Sequence, residues 1–462
     1  MVVLKVLALA CVLALTRSSP VSTGVKVRFD GHKLFRLHPT NEDHIHLIQQ
    51  LLDNPDIGLD FWTEGVALNR PVDVRVPPYD LKDLLSLLEE QEMKYEVLKE
   101  NLQEDIDKEE ESNHHERKRR QQITSEWIIH ICTSANPPLW CSNFGSFTTA
   151  PPHVVSQWDI VGTYATFEQV NTWLASKASQ HSTIASLESI GKTYEGRDMK
   201  VLKIGEAANK PAIWIDAALH AREWIASATL IYIADQLLNE YSSNANINKF
   251  TWYILPIANP DGYEYSYNYN RFWRKTRTRN AADYRGTCPG VDPNRNWGFH
   301  FGEAGTSNNP CSDIYRGETA FSEKCVFNMK TFLYNKRKQI KVYISFHSYG
   351  QMFMTPWGYT HTSAPSDIRE LTRVANLAKT AIKNVNGKSY SVGSPGSLLS
   401  DDAAGGSFDW AKGVAGIKYA YTLELRPADN TSGGFAIPAS EILPTGRETY
   451  AAVKEVAKRV TV

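Results

Sequence analysis

The sequence lacks a surplus of charge of either sign. Its 462 residues carry 50 lysines and arginines against 51 aspartates and glutamates, which gives a formal net charge of −1. A chain with balanced charge has no overall field that would attract nucleic acid or an anionic membrane. We therefore expect neither of them as a partner.

Long hydrophobic runs are also lacking. Residues 1–19 carry one lysine, a short apolar stretch and then an Arg-Ser-Ser-Pro sequence. The apolar stretch is too short to span a bilayer, and the pattern is typical of a secretory signal peptide. No later segment reaches transmembrane length, so we expect a secreted, extracellular protein in which disulfides persist.

Cysteine is scarce, with six residues in the whole chain. Cys11 lies in the predicted signal, and the other five allow two natural pairs, Cys132–Cys141 and Cys288–Cys311. Cys325 is then left over, either as a buried free thiol or as an intermolecular one. Closing the loop between Cys288 and Cys311 would contribute roughly 3 kcal/mol on the chain-entropy model.

The first hundred residues alternate strand-like and helix-like stretches. The order β-α-β-β-α-β predicts a small ferredoxin-like α+β domain. The stretches are Val25–Leu37, Asn41–Asp53, Leu59–Trp62, Val72–Val76, Leu81–Glu90 and Lys94–Leu98.

Two runs of charge follow this domain. The acidic run Glu104–Glu111 and the basic run Arg117–Arg120 are typical of a solvated, flexible connector. Four consecutive cations between two domains of an exported protein also suit a processing protease, which needs an exposed peptide. We favour processing over nucleic-acid binding because no aromatic residues interleave with the cations. This divides the chain into a signal (1–19), a domain that ends at a basic cleavage site (20–120), a linker of unknown role (121–157) and a large domain (158–462).

The large domain alternates helix-like and strand-like segments for some 300 residues. Its strands have little polar alternation, which indicates an α/β fold whose central sheet is covered by helices on both faces. The predicted strands are Met199–Ile204, Ala212–Ala218, Trp252–Ile257, Val342–Phe346 and Tyr419–Leu425.

Three candidate metal ligands follow two of these strands. His220 and Glu223 come directly after one apolar run, and His347 ends another. Histidine nitrogen and glutamate oxygen are both zinc ligands, and a catalytic zinc takes three protein ligands and keeps one position open. The carboxyl ends of strands in an open α/β sheet are where ligands gather. A second His-x-x-Glu copy, His300–Glu303, lies in a Gly-rich stretch and is more typical of a solvated loop.

Further polar residues have two interpretations each. Glu424, among apolar residues of the last strand, is either a structural partner of Arg426 or a general base. Arg271 and Arg274 on their own indicate a solvated cationic surface. The pair Asn294–Arg295 could hold a substrate carboxylate or form an ion pair that stabilises its loop.

Many ordered stretches of the chain resemble the pancreatic-type zinc metallocarboxypeptidases, the carboxypeptidase A/B family, in proenzyme form. The resemblance covers about residues 25–107 as a pro-domain and 158–460 as the enzyme. It implies a mixed central sheet flanked by helices. The matching stretches are Thr193–Arg197, Ala212–Trp224, Asn259–Gly262, Asn270–Arg277, Val291–Trp297, Phe346–Tyr349, Gly405–Trp410, Leu423–Arg426 and Ile437–Ser440.

The resemblance implies a role for each site residue. One zinc ion per chain would be bound by His220, Glu223 and His347, with Asp292 orienting His220. Glu424 would be the general base, and Arg274 would stabilise the developing oxyanion.

The remaining roles concern the peptide substrate. Asn294 and Arg295 would hold the free C-terminal carboxylate, and Phe408 occupies the position that sets specificity. A phenylalanine at this position resembles the A-type preference for apolar C-terminal residues. Arg222, Tyr349 and Phe435 would line the more remote subsites. We expect a monomer that acts on peptide and protein C-termini.

One departure from the family pattern leaves a second function open. The family usually has a mobile tyrosine shortly before the Gly-Gly pair, and this chain has Asp401 there. A carboxylate would repel the carboxylate of the substrate. The chain is therefore either an active A-type enzyme or a zinc-binding relative that captures peptide C-termini and turns over poorly. A third function, inhibition by the released pro-domain alone, explains none of the catalytic residues.

Overall fold

A computed structural model describes residues 25–54, 57–63, 65–132, 159–205, 210–281, 283, 286–399, 402–428 and 434–460. The predicted signal, most of segment 121–157 and Asp401 lie outside these residues, as do the side chains of the proposed Cys132–Cys141 pair. None of the described helices is long and apolar enough to cross a membrane.

The N-terminal unit is a four-stranded antiparallel sheet covered by two helices. Its order along the chain confirms the β-α-β-β-α-β prediction, and its strands lie in the order β2-β3-β1-β4. Leucines at helical spacing on α2 face the sheet and are buried. The elements are β1 (Lys33–His38), α1 (Glu42–Asp53), β2 (Asp60–Phe61), β3 (Val72–Val76), α2 (Leu81–Glu90) and β4 (Lys94–Lys99).

The segment between the two units is helical. The expectation of a flexible connector is wrong, because helix α3 runs from Leu102 to Cys132. The physical reason is a narrow buried stripe in which Leu102, Ile106 and Glu109 follow one another at spacings of four and three. The two apolar members pack into a cluster that also contains Phe272 of the large unit. This packing stabilises the helix, although most of its other residues are polar.

The large unit is built on an eight-stranded mixed sheet, in the order β11-β10-β12-β9-β7-β8-β6-β5. All five strands predicted for it are present. Its strands are β5 (Ala185–Lys192), β6 (Asp198–Ile204), β7 (Ala212–Ala217), β8 (Thr251–Leu255), β9 (Ile340–Gly350), β10 (Met352–Met354), β11 (Ser391–Gly393) and β12 (Tyr419–Ala428).

Helices cover both faces of this sheet, which explains why β7 and β8 are buried at every position. The helices are α4 (Phe167–Gln180), α5 (Trp224–Glu240), α6 (Ala245–Asn248), α7 (Pro260–Asn268), α8 (Lys324–Lys336), α9 (Ile368–Asn386), α10 (Pro395–Leu398), α11 (Ser407–Gly413) and α12 (Ile442–Arg459), and a short 3₁₀ turn spans Ala439–Glu441.

The central strands β8, β7, β9 and β12 run parallel to one another. Their carboxyl ends therefore meet at one edge of the sheet, where polar side chains from separate parts of the chain come together. A disulfide between Cys288 and Cys311 closes a loop at this edge, as predicted, and Cys325 is a buried free thiol.

Candidate functional site

Three buried side chains meet where β7 and β9 end. His220 and Glu223 lie between β7 and α5, and His347 lies in the neighbouring strand β9. Their ligand atoms lie within 4.8 Å of one another. The Nδ1 atoms of the two histidines are 3.2 Å apart, and Oε1 of Glu223 is 2.8 Å from Nδ1 of His220. The structure thus brings together the three ligands that the sequence predicted.

The arrangement fits a tetrahedral metal ion. Two ligands at ~2.0–2.1 Å from a tetrahedral zinc lie about 3.3 Å from each other, and this is close to the separation of the two Nδ1 atoms. Within the described residues, Oε2 of Glu223 is buried and accepts no hydrogen bond of good geometry, and Nδ1 of His347 lies 2.9 Å away. A buried carboxylate oxygen without a donor is costly unless a cation is supplied. The residues present therefore fit a zinc ion.

A second group of side chains orients the two histidines. Nε2 of His220 lies 3.0 Å from Oδ1 of Asp292, as expected. Nε2 of His347 lies 3.2 Å from the hydroxyl of Ser345, which donates to Asp216. Such contacts fix the ring orientation of a metal-binding histidine. Ser345 and Asp216 were missed because a serine and an aspartate inside buried strands carry no motif. Their only signal is that they are polar residues in apolar runs.

The electrostatics of the site keep its carboxylates ionised. Burial by itself raises the pKa of Glu223, but the charges of His220 and then His347 lower it to about 2. Burial likewise opposes ionisation of Asp292, and the Arg274 guanidinium holds the pKa of this carboxyl well below its usual range. Both carboxyl groups are therefore ionised at neutral pH.

A cavity of about 300 Å³ opens beside the triad. It is lined by Glu223, by Glu424 of β12 and by Arg274, and Glu424 pairs in register with His347 of β9. Arg426, the alternative partner considered for Glu424, forms ion pairs with two other carboxylates, Glu441 and Glu448.

The prediction of a solvated cationic surface is wrong, because Arg274 and Arg271 are both buried. Arg274 donates to Oδ2 of Asp292 from both Nε and Nη2, at 3.2 and 2.8 Å. The physical reason is that each cation finds a buried carboxylate, which a charge pattern read along the chain does not reveal.

Asn294 and Arg295 lie next to Asp292 inside the disulfide loop. Oδ1 of Asn294 accepts the Ser407 N–H at 3.0 Å, and the Arg295 guanidinium donates from Nε to the carbonyl of Gly305 at 2.8 Å. Both side chains are therefore held in fixed orientations. Arg295 is almost fully buried.

Phe408 is buried in helix α11, within the hydrophobic core on one face of the sheet. The next residue, Asp409, accepts the backbone N–H groups of Gly358 and Tyr359. Burial raises the pKa of Asp409 to about 7.

The N-terminal unit contacts three of the predicted substrate residues. The Tyr349 hydroxyl donates to Oδ2 of Asp73 at 2.9 Å, and Asp73 is also held by both guanidinium donors of Arg36. The Arg222 guanidinium donates to Oδ1 of Asp60 at 3.0 Å. These acidic residues come from β2 and β3, and no sequence motif assigned them to the site.

Aromatic side chains from both units also pack together at this interface. Trp62 packs against Phe435 and Phe272, with ring centroids 5.0 and 4.9 Å apart. Phe29 contacts Phe272, and Tyr349 contacts Phe435. The N-terminal unit therefore covers the cavity beside the triad, and its residues Arg36, Trp62 and Asp73 line that cavity.

Helix α3 adds a buried ion pair that sequence reasoning missed. Glu109 binds Arg271 through two hydrogen bonds of 2.6 and 2.7 Å, and both side chains are 1 % exposed. The guanidinium also donates to the carbonyls of Arg222 and Phe435 and lies over the Trp224 ring at 3.7 Å. The available signal was the position of Glu109 on the same helical face as Leu102 and Ile106.

The basic run Arg117–Arg120 lies on the same helix and is partly docked. Arg117 donates to the carbonyl of Tyr164, and Arg120 forms an ion pair with Asp159 at 3.0 Å. Lys118 and Arg119 lie between these two anchored residues. The helix would have to open locally before a protease could bind the run in an extended conformation.

Comparison with known proteins agrees with this geometry. The sequence model of the zinc carboxypeptidase family matches residues 170–452. The chain belongs to this family. The model of the carboxypeptidase activation peptide matches residues 35–109, so the N-terminal unit is an activation peptide and the whole chain is a zymogen. The sequence-based family assignment and fold are thereby confirmed.

The chain is similar both to relatives named carboxypeptidase A and to a relative named carboxypeptidase B. Carboxypeptidase B of Astacus astacus is 44 % identical over 64 % of this chain and 97 % of its own length. Carboxypeptidase A4 of Mus musculus is 37 % identical over 94 % of both chains. The crystal structure of carboxypeptidase A from Helicoverpa armigera superposes with a TM-score of 0.76 at 26 % identity, over 93 % of this chain and 98 % of that chain. These likenesses do not separate A-type from B-type specificity.

We predict that Glu223→Gln weakens zinc binding by more than ~100-fold, because loss of a direct ligand should exceed the effect of an outer contact. Zinc content would be measured by mass spectrometry after dialysis against a zinc buffer. The matched control is Glu303→Gln in the second His-x-x-Glu copy, where the pair is exposed. Equal zinc loss in both variants would contradict the assignment of the metal site.

We also predict that Glu109→Gln weakens the hold of the activation peptide on the enzyme once the chain has been cleaved in the basic run. Removing one partner of a buried ion pair costs ~3–5 kcal/mol, which is at least about a 100-fold change in affinity. The dissociation constant of the cleaved peptide would be measured by surface plasmon resonance. The neighbouring variant Glu110→Gln, which loses an exposed pair with Lys26, should bind as tightly as wild type. A Glu109→Gln complex of unchanged affinity would refute the anchoring role.

Proposed function

We propose that the chain is the secreted zymogen of a zinc metallocarboxypeptidase that releases apolar C-terminal residues from peptides. The observation that carries this proposal is the convergence of His220, Glu223 and His347 with Glu424 and Arg274 around one cavity beneath the activation peptide. Residues 1–19 would be removed as a signal, and a processing protease would cut in the run Arg117–Arg120.

The reaction is hydrolysis of the last peptide bond. Zinc, held by His220, Glu223 and His347, would polarise the scissile carbonyl and lower the pKa of water. Glu424 would accept a proton as the water oxygen bonds to the carbonyl carbon, and would then pass this proton to the leaving nitrogen as the C–N bond breaks. Arg274 would donate to the oxygen on which negative charge develops.

Recognition of a free C-terminus rests on Asn294 and Arg295. Because Oδ1 of Asn294 already accepts the Ser407 N–H, its Nδ2 group is the donor left for a substrate oxygen. The Arg295 guanidinium would bind the same carboxylate. A peptide without a terminal carboxylate would leave this buried cation without a partner from the substrate, which favours exopeptidase activity.

The contacts of the activation peptide explain why the uncleaved chain would be inactive. Tyr349, Arg222 and Phe435, which we assign to the more remote substrate subsites, are occupied by Asp73, Asp60 and Trp62. A peptide that extends along these three residues could not bind while the activation peptide is in place. Removal of the activation peptide would expose it.

The apolar preference rests on Phe408. A buried phenylalanine at the specificity position offers no charge to pair with a lysine or arginine side chain of the substrate. Leu399, the last described residue before Asp401, lines the cavity beside the triad. An apolar side chain in the cavity wall is consistent with the same preference.

The experiment that tests activity uses blocked dipeptides ending in Phe, Leu, Lys and Glu, with protein cleaved after Arg120. We expect release of Phe and Leu that a zinc chelator abolishes. Glu424→Gln should lower kcat by ~10²–10⁴-fold, the usual contribution of a general base, while zinc content and KM stay close to wild type. Glu303→Gln serves as the control.

Two outcomes of this experiment would change the conclusion. Zinc binding at one ion per chain with no release from any dipeptide would favour the peptide-binding relative disabled at Asp401, and Asp401→Tyr should then restore turnover. Faster release of Lys than of Phe would show a B-type enzyme.

Specificity would be tested separately with Phe408→Asp. We expect the ratio of kcat/KM for Lys-ended over Phe-ended substrates to rise by more than ~100-fold, because a buried carboxylate is stabilised by a cationic side chain and penalises an apolar one. Phe408→Leu is the matched control and should keep the apolar preference. If the ratio is unchanged in a Phe408→Asp protein whose melting curve shows that it is folded, Phe408 does not line the specificity pocket.

A further inference from the structure

A groove of about 530 Å³ lies at the opposite end of the large sheet from the metal ligands. It is bordered by the end of α8, the start of β9 and the residues just before β12. His347 lies seven residues beyond Ile340 on β9, so the groove is about 23 Å from the triad at ~3.3 Å per residue. The cationic residues that line it are Arg337, Lys338, Lys341 and Lys418.

The protein balances these four cations only in part, since the charge of Lys418, after the hydrogen bond from Arg373, contributes to lowering the pKa of Glu370. Within the described ranges, none of the four forms an ion pair. The contacts of Arg337 and Lys341 are with backbone carbonyls, and the Arg337 guanidinium also stacks on the Tyr334 ring at 3.9 Å. The nearby carboxylates Asp367 and Glu370 are paired instead with Lys412 and Arg373.

The pairing of β9 with β12 also brings the backbone segments that carry two of these cations next to each other. Tyr419, the first residue of β12, pairs with Val342 of β9 in a parallel ladder. Lys418 directly precedes this pairing on one segment, as Lys341 does on the other. Neighbouring strands lie ~4.8 Å apart, and like charges placed side by side are destabilising. Two cations that line one groove from neighbouring segments can bind one anion together.

We propose that this groove binds a sulfated polysaccharide. Sulfate groups repeated along a linear chain match several fixed cations, and a guanidinium can bind two oxygens of one such group. Clusters of lysine and arginine are a recognised signature of polyanion binding, heparin included. The proposal is independent of the proposed peptidase activity. It is compatible with the balanced overall charge of the chain, because the cations that would attract the sulfate groups are concentrated in this groove.

The lining favours a polysaccharide over two other polyanions. Nucleic-acid binding usually adds aromatic rings on which bases stack, but Tyr419, the aromatic residue that lines the groove, is fully buried. Binding to an anionic membrane gains from apolar side chains inserted beside the cations, and the apolar lining residues Ile340 and Ala415 are both buried.

The test is direct binding of a heparin octasaccharide to the full-length proenzyme by isothermal titration calorimetry. We expect binding at about 0.1 M NaCl that weakens at least ~10-fold at about 0.5 M, because the contacts are exposed to salt. The triple variant Lys338→Gln/Lys341→Gln/Lys418→Gln should bind at least ~30-fold more weakly, since it removes three of the four cations. Dipeptide hydrolysis by the cleaved triple variant should equal wild type, because the groove is remote from the triad.

The matched control removes the same number of charges elsewhere on the large unit. It is the triple variant Lys383→Gln/Lys388→Gln/Lys458→Gln, whose three lysines are exposed and do not line the groove. It should bind the octasaccharide as wild type does. Absence of binding in the low-salt buffer, or an equal loss in the control, would overturn the proposal. So would tighter binding to a single-stranded RNA of equal charge or to phosphatidylserine vesicles.

Discussion

The parallel pairing of β7, β9 and β12 is the constraint on which the site depends. Three segments that are far apart in the chain end at one edge of the sheet because their strands run in the same direction. His220 and Glu223 follow the first strand, His347 belongs to the second and Glu424 to the third. A change of register by one residue would turn His347 or Glu424 to the opposite face of the sheet. The buried strands therefore fix the geometry of polar chemistry at their ends.

Asp292 links the metal ligands to the residues proposed to bind substrate. Its two oxygens lie within hydrogen-bond distance of His220, Arg274 and the backbone N–H of Asn294. One ionised carboxylate thus orients both His220 and the Arg274 guanidinium. It lies inside the loop closed by Cys288 and Cys311, so this covalent link restrains the same group of residues.

Features that are encoded within one strand or one loop could be predicted from the sequence alone. The apolar runs that end in His220 and His347 predicted both the sheet and the candidate metal ligands, because burial and ligand chemistry lie side by side in the chain. The sequence was insufficient where a residue depends on docking between units. The charge of Glu104–Glu111 indicated a solvated connector, yet Glu109 is buried, because its partner Arg271 is supplied 162 residues later. Asp60 and Asp73 are further examples, since the strands that carry them contain no motif.

The position of Glu109 before the basic run has a kinetic consequence. The anchor belongs to the fragment that leaves, so a cut in the basic run would sever the covalent link and leave the Glu109–Arg271 contact in place. An interaction within one molecule then becomes an interaction between two, and its occupancy depends on protein concentration. Cleaved material would remain paired when concentrated and separate on dilution. The appearance of activity would accordingly lag behind the cut, and the lag would lengthen as the protein concentration rises.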